Sequence, residues 1–162
     1  MNFVEEWLTR AKKETSDEKA IFKFFCLFIA FNYLYKSYRK KNRNNHYNSE
    51  FEQICDCVEN AKKCIDNFDP YGVLTDESEI LKIPVKSVRN IDDGCLQSKI
   101  DKAKLDAKDV NELFHSIYIV RCNLFHGSKQ YVEDRDKKLV KESCAVLEYF
   151  LSNYSANYCL GE

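Results

Sequence analysis

The chain has 162 residues, 44% hydrophobic and 14% aromatic, which excludes a disordered segment and suits one domain with a dense core. Its 4 Gly and 2 Pro are too few for the turns of a β-sandwich or barrel, so long helices with few connections are expected. Lys and Arg total 25 against 26 Asp and Glu, a formal net charge of -1, which excludes a global basic field for nucleic acid and leaves only local contacts.

Residues 3 to 12 place Phe3, Val4, Trp7, Leu8 and Ala11 at helical spacing, which predicts a short amphipathic first helix. Thr15 and Glu18 form a capping-box pattern that would open the second. From Ala20 to Tyr35 that helix is nearly all apolar. It carries Lys23 and Asn32, and its apolar run is shorter than the ~20 residues of a membrane span, so a central helix buried on most sides is expected, and no membrane partner. The basic run Lys36, Arg39, Lys40, Lys41 and Arg43 reads equally as a solvated helix end, where cations complement the dipole, or as a phosphate-contacting patch.

Ser49 with Glu52 repeats the capping-box signature, and Phe51, Ile54, Cys55, Val58, Ala61, Ile65 and Phe68 predict a third helix ending before Pro70. The periodicity fades from about 70 to 106, a long loop-rich connection. A fourth helix is expected from about Asp106 to Phe125, with Gly127 as its stop. A fifth should begin near Asp136 and carry Leu139, Val140, Cys144, Leu147, Phe150, Leu151 and Tyr154. The expectation is therefore an all-α, up-and-down bundle of about five helices forming a single domain over residues 1 to 162.

The 8 Cys could suggest disulfides, but the opening Met-Asn-Phe-Val-Glu-Glu-Trp has no basic or apolar secretory segment, so free thiols and a cytoplasmic location are expected. Cys55 and Cys57 form a C-x-C pair with Cys64 beyond, and nothing completes a zinc set. His46 reads as an exposed loop residue. His46, His115 and His126 have no carboxylate or thiolate at a recognised ligand spacing, so neither metal nor cofactor is expected.

Arg121 lies in the middle of the apolar stripe of the fourth helix, a turn from Ile117, Tyr118, Leu124 and Phe125. A guanidinium there must snorkel to the surface, line a cleft, or bridge helices through a carboxylate. His126 follows five residues later at the helix's negative end, which favours imidazolium. His115, Ile119, Cys122 and His126 form a second stripe that could meet another protein surface, including a second copy.

The run Arg121-Cys122-Asn123-Leu124-Phe125-His126-Gly127-Ser128-Lys129, then Asp134-Arg135-Asp136 and Leu139-Val140, resembles the HEPN motif of an Arg followed four to six residues later by His. Leu-Phe-His-Gly is similar to the Apea-like branch, as is Phe31-Asn32-Tyr33-Leu34-Tyr35 to that branch's buried early helix. The likeness is strongest from about Asp109 to Leu151. It implies a homodimer in which two Arg and His pairs line one cleft, and a metal-independent endoribonuclease of a defence or toxin system, with an antitoxin or sensor as partner. Other members bind RNA or nucleotides without cleaving them. The position after the Arg, often polar in the family, is Cys122 here, with Asn123 one step later. On this reading His126 transfers protons and Arg121 stabilises the phosphorane, with a partner's His126 available for the second proton transfer. Asn123 would orient the site and Lys129 would contact phosphate. A non-catalytic RNA- or nucleotide-binding module, or a structural interaction module, is the alternative.

Overall fold

A computed structural model describes residues 2–41, 49–82, 85, 110–125 and 133–157, which are mostly helical, with no strand among the described residues. The elements are α1 (Phe3–Lys13), α2 (Ala20–Lys41), α3 (Glu50–Cys64), α4 (Glu79–Lys82), α5 (Val110–Phe125) and α6 (Asp134–Asn157), with 3₁₀ turns at Asp17–Lys19 and Pro70–Val73. Five of these are the expected helices, and the single turn of α4 falls within the 70–106 connection.

Helix starts follow from local chemistry. Asn2 caps α1 reciprocally: Glu5 N–H donates to Asn2 Oδ1 at 2.9 Å and Asn2 N–H donates to Glu5 Oε2 at 3.0 Å. The Ser49 and Glu52 box on α3 forms as expected, with both bonds at 3.2 Å. Thr15 and Glu18 do not cap α2. The chain enters through the 3₁₀ turn, whose N-cap is Ser16 with no side-chain capping bond, and Lys19 N–H donates to Ser16 O at 3.1 Å. With Ser16 rather than Thr15 at the N-cap, Glu18 falls one position short of the N3 place that a capping box needs.

Helix α3 stops at Cys64, one turn short of Phe68. Ile65 is extended and Asn67 sits at φ 55, a left-handed position that Asn tolerates better than most residues. Asp69 then accepts from the N–H groups of Tyr71 and Gly72 at 3.1 and 3.2 Å, opening the turn that begins at Pro70. Helix α6 begins at Asp134 rather than Asp136, with both acids in its first turn, where they complement the dipole. The stretch 106–109, expected at the start of the fourth helix, lies outside the described residues.

Helix α2 packs against α1, α3 and α6, while α5 packs against α3 and α6. By length and composition α2 could cross a membrane, and half of its most apolar window is buried within the fold as core. Its inward residues Phe24, Leu27, Phe31, Leu34 and Tyr35 join one continuous core with Ile54 and Val58 of α3, Phe114 and Ile117 of α5, and Leu147 and Phe150 of α6. The centre is aromatic: Phe31, Phe114 and Phe150 contact one another with ring centroids 5.1 to 5.4 Å apart. The connection is also anchored. The N–H groups of Glu79 and Ile80 each donate to the Glu142 carboxylate of α6 at 2.9 Å, and the Ile80 side chain is fully buried.

Candidate functional site

Helix α5 carries Arg121 on its last turns, at the junction with α2 and α3. The Arg121 side chain is 22% exposed, with its guanidinium carbon 4.7 Å from the centroid of Phe125 and 5.5 Å from that of Phe28 on α2. The rings present π-faces that attract the cation. Arg121 Nη1 lies 3.8 Å from Glu50 Oε2 and 3.8 Å from Cys122 Sγ. The first contact is ionic in range but too long for a hydrogen bond, and thiol sulfur is a weak acceptor. The buried Nε has no hydrogen-bond acceptor among the described residues.

Glu50 is the first residue of α3, just inside the Ser49 cap, and its side chain is 26% exposed. Its Oε1 accepts from the buried Tyr35 hydroxyl at 2.6 Å, and Oε2 accepts from Tyr118 at 3.4 Å. Three helices thus converge on one carboxylate: Tyr35 from α2, Glu50 from α3, Tyr118 and Arg121 from α5. Burial, then the hydrogen bond to Glu50, pushes the Tyr35 phenol well above the ordinary range. Burial also raises Tyr118, with Cys122 and Glu50 adding to it, so both phenols remain protonated donors. For Arg121 burial disfavours the charge, but the hydrogen bond to Cys122 and the Glu50 carboxylate outweigh it and hold the guanidinium above its usual value. The bridge between helices through a carboxylate, one of the three readings of Arg121, is therefore present.

Asn123 is buried, and helix geometry turns it about 200° from Arg121, so these two are not brought together. His126 and Lys129 lie outside the described residues, as do Gly127, His46 and Arg43. Lys36 and Lys40 are exposed on the last turns of α2. The second stripe on α5 is partly occupied: the His115 ring lies 4.3 Å from the Phe51 ring of α3, and Ile119 is buried. Burial lowers the pKa of His115 and so favours its neutral form.

The described cysteines are all free, and burial pushes the thiols of Cys57 and Cys144 up to about 12, which leaves them protonated and structural. Among the described residues no group of three or more His, Cys, Asp or Glu side chains is placed to hold a metal ion. Sequence reasoning missed Glu50, Tyr35 and Tyr118 as members of the site. The two tyrosines carried a signal, since a buried phenol needs a partner for its hydroxyl. Glu50 carried none, because an acid in a helix's first turn is explained by the dipole alone.

Comparison of the chain with protein-family models, with curated proteins and with solved structures finds no match in any of the three.

Proposed function

We propose that the chain is an endoribonuclease of HEPN type, in which Arg121 binds the scissile phosphate and His126 transfers a proton. The observation that carries this reading is the state of Arg121. Its guanidinium is cationic, braced by two aromatic rings and partly exposed, and its contact with Glu50 at 3.8 Å leaves hydrogen-bonding capacity unspent. An oxyanion offers such a group the charge-assisted bonds that the described residues do not supply. The His of the Leu-Phe-His-Gly segment follows five residues along the chain.

The reaction on this reading is attack of a ribose 2′-hydroxyl on the adjacent phosphorus, giving a 2′,3′-cyclic phosphate and a 5′-hydroxyl. Arg121 stabilises the charge on the non-bridging oxygens, where loss of one donor costs roughly 10²- to 10³-fold. His126 moves a proton, worth roughly 10²- to 10⁴-fold. The second proton-transfer group comes either from a second copy in a homodimer or from elsewhere in the same chain. A cytoplasmic setting, with RNA as substrate and an antitoxin or sensor as partner, completes the proposal, and Lys129 would add a phosphate contact. Pure protein incubated with end-labelled RNA in chelator should release shortened fragments, and His126→Ala should stop their release. Undiminished cleavage by that variant rejects the assignment.

The Glu50 carboxylate beside Arg121 favours a second reading, a module that binds RNA or nucleotide without cleaving it, since an engaged guanidinium can serve recognition or structure alone. Arg121-dependent, salt-sensitive retention of RNA with no product above a heat-killed control would select it.

A further inference from the structure

On the ribonuclease reading, a lone histidine leaves one of the two proton transfers unassigned. We infer that Glu50 is the general base of the site, removing the 2′-hydroxyl proton from an RNA strand whose phosphate lies on Arg121.

The two carboxylate oxygens are held differently. Oε1 is fixed by the 2.6 Å bond from Tyr35, which sets the direction of the whole side chain. Among the described residues Oε2 has only the 3.4 Å contact from Tyr118 and the 3.8 Å contact from Arg121, so toward them it retains accepting capacity on the side that faces the guanidinium. A phosphate docked on Arg121 would bring the neighbouring ribose within reach of that oxygen, the proximity a base requires. At 26% exposure the side chain is neither sealed in the core nor free to swing in solvent. Among the described residues the titratable and charged groups facing it are Tyr35 from α2, and Tyr118 and Arg121 from α5, with Cys122 beside Arg121. The phenols can donate to the carboxylate, which leaves the substrate hydroxyl as the proton source.

In the step, Glu50 takes the 2′-hydroxyl proton as O2′ forms its bond to phosphorus. The bond from phosphorus to O5′ breaks with its electron pair on O5′, which receives a proton from the general acid, His126 on that same reading. Charge and atoms balance without an oxidant, a reductant or any further reactant.

The test is the pH dependence of kcat/KM for cleavage of a single-stranded RNA by the full chain, with Glu50→Gln, Glu50→Asp and His126→Ala alongside. The amide oxygen of Glu50→Gln can still accept from Tyr35, so its thermal midpoint should stay near the parent's. Its rate should fall roughly 10²- to 10⁴-fold, and the acidic limb of the profile should vanish. Glu50→Asp should keep an acidic limb at a lower rate, and it decides the matter if the Gln variant does not fold. Cleavage by Glu50→Gln within about threefold of the parent, or an acidic limb left unchanged by the substitution while the rate falls, overturns the inference. If His126→Ala is inactive in that experiment, the ribonuclease reading survives alone. If the parent itself cleaves nothing, both fall.

Discussion

His115 shows how one side chain sets a pH response. Its imidazole lies 4.3 Å from the Phe51 ring, and burial holds its folded pKa below the reference of 6.5. Below that reference the unfolded chain binds a proton that the folded chain resists, so stability is lost as pH falls from about 6.5 toward the folded pKa. Well above 6.5 both states are neutral and this group contributes no pH dependence. Thermal melts of the parent should drop between about pH 7.5 and 5.5, and His115→Gln should reduce that drop by removing the imidazole's share. Equal drops in the two proteins would reject this role. At the same scale, the oddity of Arg121 was legible from its place in an apolar stripe, but its partners were not. Glu50 precedes it by 71 positions, and no periodicity links residues on different helices.

The capping boxes separate two identical sequence signals by outcome. Ser49 and Glu52 exchange bonds at the start of α3, whereas Thr15 and Glu18 stand where a 3₁₀ turn already uses the backbone. Ser49→Ala should therefore lower stability by about 1 kcal/mol in urea unfolding, and Thr15→Ala should change it by much less. Similar losses for both would contradict the geometry. The helices themselves were legible because apolar residues recur at intervals of three and four in 3–13, 50–64 and 134–157. Their ends were less so. The stop of α3 at Cys64 depends on Asn67 accepting a left-handed conformation, while the apolar pattern runs on through Ile65 to Phe68.

Across the whole molecule, stability rests on aromatic side chains contributed by separate helices. Phe31, Phe114 and Phe150 are almost completely buried and meet at one centre. Phe114→Ala should cost about 3 to 5 kcal/mol, read as a lowered denaturation midpoint with little change in the denaturant slope. A loss below about 1 kcal/mol would show that the centre collapses around the gap. Composition was enough to indicate an all-α fold with a dense core, since many aromatics and few Gly and Pro leave little else. How the core helices set the site was not legible: the same α2 face that buries Phe24 and Phe31 also delivers the Tyr35 hydroxyl to Glu50.

The clasp between Glu142 and the amides of Glu79 and Ile80 joins positions 62 and 63 residues apart. Closing so wide a span carries an entropic cost that local helix formation does not. These two amides thereby become reporters: comparing their exchange with heavy water against that of amides beside the aromatic centre tells whether the strap leaves α6 on its own or with the core.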